Sequence, residues 1–158
     1  MRFAGSVHNT ASGAVSIGTR NTGITTSIAA DFDTPAVTLL EAIAIVLTHD
    51  TPVIAACGDE AAPADLVVGD QGWGAVACAI ALVPAAGANA SWPRIAAPHA
   101  MINGKPTLSP SEMPHELAKN PQAGLLDLID ALRRNATGSL RLDRGRGRGY
   151  CVDLTWQV

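Results

Sequence analysis

The stretch from Pro35 to Thr48 constrains the fold more than any other part of the chain. Ala36, Val37, Leu39, Leu40, Ala42, Ile43, Ala44, Ile45, Val46 and Leu47 fall on every face of a helix, and Glu41 is its one charge. A helix that is apolar all round is buried inside a domain or between layers. Its start is marked: Thr34 can accept from a freed backbone N–H, and Pro35 at the first helical position has no donor to waste. Just before it, Ile24-Thr25-Thr26-Ser27-Ile28-Ala29-Ala30 has the β-branched content of a strand. After it, Pro52 to Cys57 and Ala75 to Val83 are short apolar runs of the kind a covered sheet uses. Strand, buried helix, strand predicts a βαβ unit with a parallel sheet. The expected fold class is α/β, a mixed sheet with a buried central helix. A length of 158 residues suits one domain, residues 1–158.

Beyond residue 83 the character changes. Seven of the ten prolines lie in 84–121, with Gly, Asn and Ser between them, which predicts an irregular excursion over the surface. Gln122–Arg134 predicts an amphipathic helix with Leu125, Ile129 and Leu132 on one face. Ser139–Asp143 and Tyr150–Trp156 predict a hairpin, with Tyr150, Val152, Leu154 and Trp156 alternating onto one face. Between its strands runs Arg144-Gly145-Arg146-Gly147-Arg148-Gly149, a solvated loop on this reading. Charge follows the same division. Residues 1–130 carry 5 basic and 12 acidic side chains, whereas residues 131–158 carry 6 arginines and 2 aspartates. An anionic partner is therefore expected at the C-terminal end.

No apolar run approaches the ~20 residues of a membrane span, and residues 1–30 lack the ordered parts of a secretory signal. A cytoplasmic protein with no membrane contact is expected. Cys57, Cys78 and Cys151 are far apart and form no CxxC pair, so neither a zinc knuckle nor a disulfide framework is indicated. Cys57 and Cys78 lie in apolar runs and read as small core residues, with a reactive thiol as the alternative. Asp31 and Asp33 are spaced like metal ligands or a glycan-cleaving carboxylate pair, but no third ligand is near. Asp31 otherwise complements the helix N-terminus. No metal or cofactor is expected.

An ordered set of segments then resembles a known family. Ser6-Val7-His8-Asn9, Gly13-Ala14-Val15-Ser16-Ile17, Asn21-Thr22-Gly23, Thr26-Ser27-Ile28-Ala29-Ala30 and Leu39-Leu40-Glu41-Ala42 are similar to the central N-terminal half of beta-ketoacyl synthases, as is the Val53–Ala56 strand ending in Gly58-Asp59-Glu60. Residues 6–59 are most similar to the shortened, chain-length-factor-like proteins of aryl polyene and type II polyketide pathways. Leu125-Leu126-Asp127, the glycine-and-arginine turn and the last strand resemble their close. Relative to those proteins the chain starts late, five residues ahead of the Ser6 element, which points to a truncated or shifted start.

The resemblance implies a partial thiolase-like layered unit. It also implies that the turn after Ala30 is where the synthases carry their nucleophilic cysteine. Here that turn reads Asp31-Phe32-Asp33, with Phe32 at the nucleophile's place. A phenyl ring cannot form a thioester, and two carboxylates oppose thiolate chemistry by like charge. The synthases also use two histidines from a C-terminal half, and His8, His49, His99 and His115 match neither context. The implied function is therefore a catalytically inactive, chain-length-factor-like subunit in fatty acid or polyketide biosynthesis. It would pair with an active ketosynthase, or with itself, through Thr25–Ala30, the strand that meets its counterpart across the family's dimer two-fold. His8 and Asn9 are candidate acyl-chain or partner contacts, or else simply structural. Arg144, Arg146 and Arg148 are candidates for an acidic acyl carrier protein or its phosphopantetheine phosphate. Two alternatives stay open: a condensing or acyl-transfer enzyme using Cys57 or Cys78, and a basic-tailed binding module using Arg141–Arg148, with nucleic acid its least favoured ligand.

Overall fold

The structure is a computed structural model that describes residues 10–63, 65, 67–69, 72–101, 104 and 106–156. His8 and Asn9 lie outside the described residues. Helix α1 (Thr10–Thr19) opens the described chain and buries none of its residues. An irregular segment and a 3-10 turn (Asp31–Asp33) lead into α2 (Thr34–His49). Strands β1 (Val53–Asp59) and β2 (Val76–Leu82) form one sheet. A second sheet is built on β6 (Tyr150–Thr155), with β5 (Gly138–Arg141), β3 (Arg94–Ile95) and β4 (His99–Ala100) paired to it. Helices α3 (His115–Ala118) and α4 (Ala123–Arg133) complete an α/β fold.

The start of α2 follows the sequence signals. Pro35 occupies its first turn, and the Ala30 N–H donates to Thr34 Oγ1 at 2.9 Å. Its burial does not follow them. Thr34, Pro35, Ala36, Leu39, Ala42 and Val46 form one buried stripe at helical spacing, facing β1 and β2. On the far side Leu40 is 46% exposed and Leu47 78% exposed. The expectation of burial on every face is corrected, because the sheet covers one side of α2 only. Together with the turn, Asp31–His49 is also long and apolar enough, by length and composition, to cross a membrane, contrary to the expectation that no run comes near.

Two further expectations are corrected. Ile24–Ala30 belongs to no strand. Strand formation needs a neighbouring backbone, and what lies beside this segment is α1, reached by side chains: Ser27 Oγ donates to Ser12 Oγ at 2.8 Å. Without that first strand the expected βαβ unit of Ile24–Ala30, α2 and Pro52–Cys57 does not form, and the sheet that β1 does join is not parallel. β1 and β2 are antiparallel, in unbroken register from Val53↔Leu82 to Asp59↔Val76. A parallel return needs a crossover, and the described residues between the two strands hold no α-helix. The second sheet is mixed, since Leu108 adds a parallel bridge to Leu140 beside the antiparallel ladders.

The C-terminal elements match the expectation closely. α4 sits within Gln122–Arg134, and β5 and β6 form the hairpin. Leu125, Leu128 and Ala131 from α4 meet Leu140, Leu142, Val152 and Leu154 from the hairpin. The same cluster takes in Ala36, Leu39 and Ala42 of α2 and Ala55 and Cys57 of β1, so one core joins both sheets. Each of its buried leucines contributes roughly 1.5–3 kcal/mol of burial. α4 approaches the hairpin closely at Gly124, where a Cβ would run into the Leu142 carbonyl. The proline-rich 84–121 stretch is more than an excursion. It supplies β3, β4 and α3, and Asn120 in it is buried, donating through Nδ2 to the Gly74 carbonyl at 2.8 Å.

Candidate functional site

At the entrance to α2 the chain turns sharply. Asp31 has φ +52°, a conformation uncommon outside glycine but one that aspartate adopts more readily than most. The Asp33 N–H closes the turn by donating to the Ala30 carbonyl at 3.0 Å. The turn sets its residues at the N-terminus of α2, where backbone amides favour negative charge and where the family resemblance implies a nucleophile. The side chain it presents is Phe32, half-buried.

The glycine–arginine loop closes over this turn. Asp143 sets the loop's shape: its buried carboxylate accepts the Gly145 N–H at 2.9 Å and the Gly149 N–H at 2.7 Å, and it pairs with Arg141. Burial alone would raise the Asp143 carboxyl, but the Arg141 and glycine hydrogen bonds outweigh it and hold the group below the usual carboxylate range. The loop then reaches residues 115 positions earlier in the chain. The Arg148 N–H donates to Asp33 Oδ1 at 2.9 Å, and its guanidinium stands 3.6 Å from Asp33 Oδ2. Gly147 packs closely on Asp33 Oδ1, so a side chain there would push the Asp33 carboxylate away from the Arg148 N–H. Arg146 lies over the Phe32 ring, 5.4 Å from its centroid, in a cation–π contact, and also donates to the Lys119 carbonyl at 3.0 Å.

The three candidate arginines are thus not equivalent. Arg144 turns inward and is only 18% exposed. Its guanidinium donates to Asp127 Oδ1 at 2.7 Å and reaches the Ser111 carbonyl and Met113 Sδ. Asp127, fully buried on α4, also accepts from the Ser111 N–H at 2.9 Å and hydroxyl at 2.6 Å, all on the same oxygen. Burial pushes the Asp127 carboxyl up, against the pull of Ser111 and Arg144. For Arg144, the expected solvated loop is replaced by a buried anchor. Arg148 is 82% exposed and its pairing with Asp33 leaves its guanidinium in solvent. Asp127 and Asp143 are the residues that sequence reasoning missed. Asp143 was visible as an Asp two residues before Gly145, the pattern of a side chain that caps its own turn.

The thiols sit away from this turn. Cys57 and Cys78 face each other across the β1–β2 ladder. Burial pushes Cys57 up, and burial with the neighbouring Cys57 pushes Cys78 up to about 11. Both shifts run against a thiolate nucleophile at neutral pH. Among the histidines, His49 closes α2 at the end opposite the turn, His99 lies on β4 at 3.8 Å from Asp153, and His115 opens α3. Among the described residues no group of three His, Cys, Asp or Glu side chains is placed to hold a metal ion.

A tight turn into an apolar helix does not by itself name a family; the match of the chain to a family model does. The model of the beta-ketoacyl synthase N-terminal domain matches residues 1–147. The chain belongs to this family. The match carries the α/β unit with it as a partial thiolase-like layered fold. In this ketosynthase N-terminal domain the matched span runs through the proline-rich stretch, farther than the segments at 6–59 would suggest, and ends inside the arginine loop, before β6. No curated protein and no solved structure matches the chain.

Proposed function

We propose that this ketosynthase-like domain is a non-condensing subunit of the chain-length-factor kind, which acts by pairing with an active ketosynthase and shaping where the acyl chain lies. One observation carries the reading. The turn that would hold the acyl acceptor carries Phe32, flanked by two carboxylates and covered by Arg146. A ring held under a guanidinium can contribute shape and packing but no covalent bond to an acyl group.

The segment proposed to pair is Thr25–Ala30. It belongs to no sheet among the described residues, and Thr25, Thr26 and Ala29 are exposed. Apart from Ala30, whose N–H and carbonyl serve the turn into α2, its backbone lies outside every ladder among the described residues and can pair with a second chain. The proposed carrier-protein contact narrows to Arg146 and Arg148, whose heads sit at the surface beside the turn, because Arg144 is committed to Asp127. An acidic carrier protein would meet positive charge there.

Sedimentation of the chain alone and mixed with an active ketosynthase tests the pairing, with hydrogen exchange read at residues 25–30. The expected result is a discrete dimer in which those amides become protected. A monodisperse monomer that ignores the ketosynthase, with residues 25–30 exchanging freely throughout, would refute the subunit reading.

A further inference from the structure

We infer that Cys57 and Cys78 are a redox-closable pair, a site at which a small disulfide oxidant forms a cross-strand bond between β1 and β2. The two residues are 21 positions apart, with no motif to link them in sequence, but the ladder sets them directly opposite. Directly opposed residues of an antiparallel pair point to the same face with Cβ atoms about 4.5–5.5 Å apart. A disulfide needs Cβ atoms at about 3.5–4.5 Å and Cα atoms at about 4.4–6.8 Å. The bond therefore needs a contraction of about 1 Å or less from side chains already facing one another. Seven consecutive registered pairs hold the strands in place while it forms.

The surroundings give the two thiols different parts. Cys57 is buried beneath α2, within hydrogen-bond reach of Thr38. Cys78 is half-buried and is the one a small molecule can reach. The electron balance is that of thiol–disulfide exchange with a glutathione-type disulfide. Cys78 gives up its proton and attacks one sulfur, forming a mixed disulfide and releasing the first small thiol. Cys57 then loses its proton and attacks the Cys78 sulfur, expelling the second. Two protein thiols are oxidised, one small disulfide is reduced to two thiols, and both protons leave with them. The raised pKa values make the exchange slow and leave its direction unchanged. Cys151 serves as an internal control, since it lies on the other sheet opposite His99 and Arg141.

The test equilibrates the folded chain with oxidised glutathione, blocks remaining thiols, and maps linkages after cleavage at acidic residues. Asp59, Glu60 and Asp65 lie between the two cysteines, so such cleavage separates them. The expected result is loss of two of the three thiols, a single Cys57–Cys78 linkage, and full recovery with dithiothreitol. The chain unfolded in guanidinium should instead give a mixture of the three possible pairings. In Cys57→Ala the reaction should stop at Cys78 carrying glutathione. Retention of all three thiols in the folded chain, a stable glutathione adduct on Cys78 with Cys57 still free, or a linkage involving Cys151 would each overturn the inference.

Discussion

Replacing Arg144 by Met removes the guanidinium while keeping a side chain of comparable reach. It leaves Asp127 fully buried on α4 with only the two Ser111 donors on Oδ1, while Oδ2 already lacks a partner. Removing one member of a buried ion pair costs about 3–5 kcal/mol, because the survivor stays charged in surroundings that do not solvate it. Asp127 has an escape: it can take up a proton. Burial already raises its carboxyl, and loss of Arg144 removes one of the influences that lower it, so the folded value in the variant rises further. A group whose folded pKa lies above its unfolded value contributes stability that is complete below the unfolded value of about 3.9 and is lost as pH rises through the folded value. The variant should therefore be weakest at pH 7.5 and recover part of its loss by pH 5. Asp143 does not confuse this window, because its carboxyl is held low and stays ionised throughout. Urea unfolding of both proteins at the two pH values reads the effect through the midpoint and the slope. Adding Asp127→Asn should restore much of the loss at pH 7.5. A cost below about 1 kcal/mol, equal at both pH values, would refute the reasoning, since that is the behaviour of an exposed pair.

Two other expectations test the packing. Leu39→Ala should cost about 2–5 kcal/mol by opening a cavity at a residue with 0% exposure, whereas Leu40→Ala, on the uncovered side of α2, should cost well under half as much; equal losses in denaturant titrations would mean that α2 is covered on both sides. Gly124→Ala should lower the thermal midpoint, because the added methyl meets the backbone carbonyl of Leu142, which cannot move aside without shifting the hairpin. An unchanged melting curve would show that α4 does not approach the hairpin there.

How far the sequence was legible depended on whether a feature was local. α4 and the β5–β6 hairpin could be read because each carries its own periodicity, as Leu125, Val152 and Leu154 show by their burial. The extent of α2 was legible from its Thr34-Pro35 start and the unbroken apolar run that follows. Its exposed face was not, since apolar side chains such as Leu40 and Leu47 report what a helix could bury and not what is present to cover it. Ile24–Ala30 has strand-forming residues, but a strand is a relation with another backbone, and among the described residues none forms a ladder with it. The direction of β2 against β1 depends on the path of residues 60–75, which carry no periodic pattern. At the site, the turn and the arginine loop were each visible. Their meeting, through Arg148 on Asp33 and Arg146 on Phe32, joins residues more than a hundred positions apart and leaves no local trace. Asp127 looked like one more carboxylate on a helix, and only packing reveals it as the buried partner of Arg144.

On the proposed function Phe32 stands where an acyl acceptor would be needed, and the chain works without covalent chemistry. Intact-mass measurement after exposure to acyl-CoA and to acyl-loaded carrier protein tests this most directly, with an active ketosynthase as the positive control. The mass of this chain should be unchanged, and Phe32→Cys should likewise give no condensation product, since the described histidines lie on α2's far end, β4 and α3. A stoichiometric acyl adduct on any residue of the unaltered chain would contradict the proposed function.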